Sequence, residues 1–359
     1  MENKDEIIDY IKRRAEEVNS KIIEYLTDRT STRYLENLLG RSGYQYDQKA
    51  INKAVIEPAK YLMELGGKRW RPVLMLTVID VLGKDSENYI EFSMIPEIIH
   101  NATLIHDDIE DRSEMRRGAP AVHVKYGVDV ALNLGDFMFY FPIVALLDSP
   151  KLNNETKIRL LDVYQREMLK VTIGQAMDIA WHNFLVDPFS VTESEYLQMT
   201  YSKTGVLSSM AAKLGAVLGG ADDKTVQALG NFGSSIGVAF QLQDDLLNVT
   251  ESGVSESKGG EGDDITEGKI TMLVIYTLAR ANDQDKNRLV EILKMHTTDR
   301  ALIKEAIGIL SKYGAHEYAK GLEEKLVKDA WKNVDAVLPD SAAKEKLKSL
   351  AEFLINRSI

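Results

Sequence analysis

Residues 100–123 read HNATLIHDDIEDRSEMRRGAPAVH, and Asp107, Asp108, Glu110 and Asp111 crowd into five of those positions. Apolar Ala102, Leu104 and Ile105 lead in, and Arg116 and Arg117 follow. On a helix each residue turns about 100°. Asp107 and Asp111 then share nearly one line, with Asp108 on the flank. Like charges this close repel and raise one another's pKa unless a cation sits among them. A hard divalent cation suits them, because Mg²⁺ takes oxygen ligands and shares them with a substrate phosphate. The alternative is a solvated acidic helix face.

A second stretch, FQLQDDLLN at residues 240–248, repeats the spacing with Asp244, Asp245 and Asn248. Two such helices, far apart in sequence, can face each other across a cavity with Mg²⁺ between them and grip a diphosphate from both sides. Asn248 offers an amide oxygen but no charge, so the second cluster should bind metal more weakly.

The chain of 359 residues is 44% apolar, enough for a substantial core. A formal charge of -11 argues against nucleic acid as a partner. The lack of cysteine excludes disulfides, thiolate catalysis and Cys-ligated metals. The N-terminus is densely charged and unlike a signal peptide, and no uninterrupted apolar run of about 18 residues is found. A soluble, cytoplasmic protein without stable membrane insertion is expected.

Periodicity predicts helices over 4–27, 49–65 and about 89–110, the last with a kink or late start at Pro96. Between them, Pro72 opens an apolar helix that should be buried. Residues 112–122 read as a polar loop. Further helices are expected over 127–148, 155–182, from Thr192 or Ser194 to Gly205, over 206–220 and over 225–249. A Gly- and Ser-rich loop spans 251–268, and helices resume from 269. The expectation is an all-α protein of one domain, with an N-terminal part (1–45), a central part (46–275) and C-terminal helices (276–359).

GGKRWRP (66–72) places Lys68, Arg69 and Arg71 past a helix end, where they suit phosphate oxygens or form a solvated turn. Arg116 and Arg117 suit an anion held beside the acids, or surface pairing with Asp111 or Glu114. Lys203, Thr204, Lys258 and Lys269 are further phosphate candidates. Lys258 and Lys269 flank Asp263 and Asp264 in a loop with the character of a lid, though simple solvation accounts for it as well. His100 can share a face with Asp107 or merely fill the core. Glu97-x-x-His100 matches di-iron bundles, but no second copy exists. His106-Asp107 matches metal phosphohydrolases, which need more histidines than six scattered ones give.

GGKRWRP, DDIED with RRG after it, GQAMD, KTG, FQLQDD and the Lys/Asp loop follow one another in order. In this the chain resembles the trans-isoprenyl diphosphate synthases, head-to-tail prenyltransferases, over roughly residues 50 to 270, and most of all their geranylgeranyl members. The resemblance implies a helical bundle around a central apolar cavity, and a homodimer. It implies that Asp107, Asp108, Asp111, Asp244 and Asp245 bind Mg²⁺ bridging an allylic diphosphate. Arg116, Lys203, Lys258 and Lys269 would hold that diphosphate. Gly67, Lys68, Arg71, His100 and Arg117 would hold isopentenyl diphosphate. Thr204 and Gln241 would line the reacting carbons, and Gln175 and Asp178 would orient Lys203 and the metal waters. Asn248 replaces the usual last aspartate, and GGEG lengthens the loop after Lys258.

Short-product members often carry an aromatic four or five residues before the first aspartate. Here Thr103 and Ala102 are small, so a deeper pocket and a geranylgeranyl product are expected, with longer chains or farnesyl as alternatives. Phe137, Met138, Phe139 and Tyr140 are candidates for its floor. A terpene cyclase would not need GGKRWRP or RRG, and a non-catalytic partner subunit would not keep both acid pairs.

Overall fold

The computed structural model describes residues 4–27, 31–249 and 262–355. Helix α1 (Lys4–Thr27) is amphipathic as expected, burying Ile7, Ile11, Val18, Ile22 and Leu26. Helix α2 (Trp70–Val81) is apolar on nearly every side, a pattern that belongs inside a core. Every residue of it but Asp80 is buried. Pro72 sits in its first turn, where a missing N–H costs nothing.

Pro96 delays a helix rather than kinking it. Ser86–Phe92 is a 3₁₀ segment, and α3 (Met94–Glu110) begins two residues before the proline. The region expected to be a loop holds a small antiparallel hairpin, β1 (Met115–Arg116) and β2 (Ala119–Pro120). Arg117 (φ 52°) and Gly118 (φ 76°) form its turn, and two successive left-handed residues give a tight hairpin its required twist. Strand alternation then turns Arg116 inward and Met115 out to solvent.

The stretch expected as one helix over 127–148 is broken at Pro142. It forms α4 (Val128–Tyr140), a 3₁₀ turn (Phe141–Ile143) and a short helix to Asp148. No membrane span was expected, yet Val128–Asp148 is long and apolar enough by length and composition to cross one. A search for uninterrupted apolar runs misses it because Asp129 and Asp136 interrupt it. Here it packs against α3, burying Ala131, Leu134 and Met138.

Asn153 caps α5 (Asn154–His182), and a Thr192–Glu195 capping box opens α6 (Glu193–Thr200). A π turn (Tyr201–Gly205) joins α6 to α7 (Val206–Leu218), all of whose residues are buried. Helix α8 (Asp223–Asn248) follows, then α9 (Met272–Arg280), α10 (Ala315–Asp335) and α11 (Ala342–Ile355) among the C-terminal helices. Helix α7 packs along α8, α2 and α5, while α10 covers another side of α8. Among the described residues the fold is all-α apart from one hairpin.

Candidate active site

Two glycines let three segments converge. A Cβ on Gly174 of α5 would lie 2.3 Å from the Lys203 amide nitrogen. A Cβ on Gly237 of α8 would lie 2.7 Å from Gly205 Cα. The π turn is therefore gripped from both sides, which fixes Lys203 and Thr204 over the gap between α3 and α8. Single π turns of this kind are frequent at functional sites.

The gap is a cavity of about 110 Å³. Asp107 and Asp178 line it together with Asp245 and Asp264, and Lys203, Lys269, Thr204 and Gln241 complete its polar lining. The two acidic stretches thus do face one hollow. Lys203 Nζ donates to Asp107 Oδ1 at 2.9 Å and to Asp178 Oδ2 at 2.5 Å. Lys269 Nζ reaches Asp111 Oδ1 at 2.8 Å and Asp178 Oδ2 at 3.2 Å. Gln175 donates to Asp107 at 3.2 Å and to Glu110 at 2.5 Å. Burial alone would push the Asp178 carboxyl up, but Lys203 and Lys269 hold it well below the usual range. Burial would likewise lower the two lysines, but the surrounding carboxylates keep both firmly protonated.

On the facing wall, Asp245 accepts from Tyr196 Oη at 2.6 Å and from Gln241 Nε2 at 2.9 Å. Burial pushes its carboxyl up to about 6 against those two donors. Thr204 Oγ1 donates to Gln241 Oε1 at 3.1 Å. Asp244 is exposed at the same end of α8. Asn248 carries no charge to a metal; its side-chain oxygen accepts the Asp264 amide at 3.1 Å and its backbone oxygen the Gly262 amide at 2.9 Å. It fastens the returning chain, from which Lys269 projects.

Two turns before Asp107 on α3, or roughly 10 Å along the axis, stands His100. Burial and the fields of Arg71, Arg117, Arg116 and Arg69 hold its imidazole neutral, well below the ordinary pKa. Arg71 is buried with its guanidinium 4.6 Å from the Trp70 ring centroid. Arg117 donates to Gly66 O and, at 3.2 Å, to Asn101 Oδ1, and burial brings its pKa down to about 10. Gly67 and Lys68 are exposed at the rim. Guanidiniums near a neutral histidine make this side of α3 a candidate place for an anion.

Three assignments change. Asp108 does not join Asp107 and Asp111: it is buried and paired with Arg116, so each neutralises the other beside the cavity. Arg69 is not a phosphate candidate, because it is consumed by Glu97 (2.6 Å), Asn19 (2.7 Å) and Met63 O (2.7 Å). Tyr140 is 75% exposed and cannot floor a pocket within this chain. Met138 is buried in one packet with Ala102 and Leu134, while Phe139 stacks on His106 at 5.1 Å. Thr103 lies half-buried on the Asp107 row of α3 and donates to His100 O at 2.7 Å. Lys258 lies outside the described residues. Sequence reasoning gave no role to Tyr196, whose partner Asp245 is 49 positions away, and placed Asp264 only in the lid-like loop.

Among the described residues, no group of three or more His, Asp or Glu could hold a metal ion by itself. The donor chemistry nonetheless fits Mg²⁺. All the acids offer oxygen, and this ion is ordinarily held by one or two carboxylates plus substrate phosphates rather than by a protein cage.

Residues 52–310 match the family model described as polyprenyl synthetase. The chain is 37% identical over 306 residues to a short chain isoprenyl diphosphate synthase of Methanothermobacter thermautotrophicus, covering 85% of this chain and 91% of the relative. It is 35% identical over 305 residues to a geranylgeranyl diphosphate synthase of Sulfolobus acidocaldarius, covering 84% and 90%. The crystal structure of a geranylgeranyl pyrophosphate synthetase from Pyrococcus horikoshii superposes with a TM-score of 0.82 at 31% identity, over 99% of both chains.

Proposed function

The chain belongs to the polyprenyl synthetase family and is a trans-prenyltransferase, and from that premise we propose that it condenses isopentenyl diphosphate with an allylic diphosphate to give geranylgeranyl diphosphate. The observation that carries this reading is a single helix, α3, which brings Asp107 to a carboxylate–lysine cluster at a cavity and, two turns earlier, sets His100 and Asn101 beside Arg117. Two diphosphates can thus be held with their carbon ends close together.

Protonated Lys203 and Lys269 hold the allylic diphosphate as it departs and donate to its oxygens. Asp107, Asp111 and Asp244 are the residues that would hold Mg²⁺, which when bound supplies further positive charge to that leaving group; Asp245, expected among the ligands, is engaged instead by Tyr196 and Gln241. Thr204 and Gln241 present oxygen dipoles to the allylic carbon as it becomes cationic. Arg71, Arg117 and Lys68 hold isopentenyl diphosphate, whose double bond attacks that carbon. The proton then lost goes to the released diphosphate, so no side-chain base is required.

The small Thr103 and Ala102 support the geranylgeranyl product. A homodimer is proposed as well. Ile158, Leu169 and Ile173 lie exposed along one face of α5, and Leu132 and Tyr140 are exposed on α4; a second copy would cover them.

Labelled isopentenyl diphosphate, offered with each allylic starter in turn with and without Mg²⁺, tests the reaction. Condensation to geranylgeranyl diphosphate is expected; a hydrocarbon formed from geranylgeranyl diphosphate alone would point to a cyclase. Thr103→Phe should shorten the product to farnesyl diphosphate, with Ala102→Phe, at the closed packet, as the companion variant. An unchanged product from Thr103→Phe would remove the pocket-depth explanation.

A further inference from the structure

Tyr196 has no role in the steps above, yet its phenol is only 2% exposed and lines the reaction cavity. A glutamine amide has two nearly equivalent orientations, and its neighbours choose between them. Gln241 has an acceptor on one side, Asp245 Oδ1 at 2.9 Å, and the Thr204 hydroxyl on the other at 3.1 Å. A carboxylate can only accept, so the Gln241 NH₂ must turn to Asp245 and the amide oxygen to Thr204 and the cavity. That choice holds only while Asp245 itself is held. Tyr196, through its 2.6 Å bond to Oδ2, is the group that pins it.

We infer that Tyr196 is a positioning residue for the condensation, fixing Asp245 and through it the Gln241 amide with its oxygen toward the cationic carbon. This rests on the prenyl-transfer reading. The four side chains form one directed series of donors, Tyr196 to Asp245, Gln241 to Asp245, and Thr204 to Gln241. Without the phenol, the carboxylate rotates and the amide is free to reverse, placing NH₂ hydrogens where positive charge develops. The cost falls on the transition state and not on binding of either diphosphate.

Tyr196→Phe tests this in a double-mutant cycle with Gln241→Ala. In the wild-type background kcat should fall about 10- to 100-fold, while both KM values and the half-saturating Mg²⁺ stay within about threefold. In the Gln241→Ala background the same change should lower kcat by less than about threefold. An equal loss in both backgrounds, an unchanged kcat, or a loss confined to KM would overturn the inference. An inactive wild-type enzyme would instead overturn the prenyl-transfer reading. Should Tyr196→Phe not fold, Asp245→Asn serves in the same cycle. Non-additivity in kcat with unaltered Mg²⁺ dependence supports the inference, and additivity or a raised Mg²⁺ requirement overturns it.

Discussion

The cavity cluster and the arginine–histidine pocket share helix α3 but treat charge in opposite ways. At the cavity, Asp107, Asp111 and Asp178 outnumber Lys203 and Lys269, so the cluster is net negative. Beside His100, Arg69 and Arg116 are each paired with a carboxylate, while Arg117 donates to the neutral oxygens of Gly66 and Asn101, next to an imidazole held neutral. On this charge balance the arginine–histidine side is expected to take an anion with less help from added cations than the cavity needs.

The sharpest way to break this contrast is to remove those cations. Asp107→Ala, or chelation of the wild-type enzyme, should lower turnover by about 10³-fold or more. Calorimetric binding of isopentenyl diphosphate to the chelated enzyme should stay within about threefold of its value with Mg²⁺. If both collapse together, the two regions are one site electrostatically. A smaller effect is expected from the other side. Arg117→Ala removes a charge-assisted donor and should raise KM for isopentenyl diphosphate about 10- to 100-fold, moving KM for the allylic substrate less than about threefold. Steady-state kinetics with each substrate varied in turn checks the separation.

The smallest effect concerns stability. His100 is held neutral well below its ordinary pKa of 6.5. As pH falls past that value the unfolded chain gains a proton that the folded chain refuses, so acidification destabilises the fold. His100→Gln removes this contribution. Between pH 7.5 and 5.5 its melting temperature should drop less than that of wild type, by about 2–4 °C in a scanning measurement. An identical drop in both proteins would show that burial and the arginines do not act on His100 in this way.

Much of this was legible in the residues because helical spacing is local. The acid stretches, the largely apolar α2 and α7, and the glycines of GQAMD and KTG all follow from what lies within a few positions. Arg69 shows the limit. It stands between Lys68 and Trp70 in a basic run with nothing to distinguish it, yet a left-handed backbone (φ 48°) accompanies its burial against Glu97, 28 positions on. Asp108 is similar: its neighbours suggest a metal ligand, and only the hairpin that turns Arg116 inward removes it from that set. Tyr196 left no local signal because Asp245 is 49 positions away.

The order of side chains by itself determined the helical character, the buried helices and the two oxygen-rich stretches, since each follows from periodicity and charge over a turn or two. Only the tertiary structure decided which carboxylate meets a lysine, which meets an arginine, and which is pinned by a phenol. Those partners come from remote segments, and their positions are set by how closely glycines let backbones approach and how a hairpin aims its arginines.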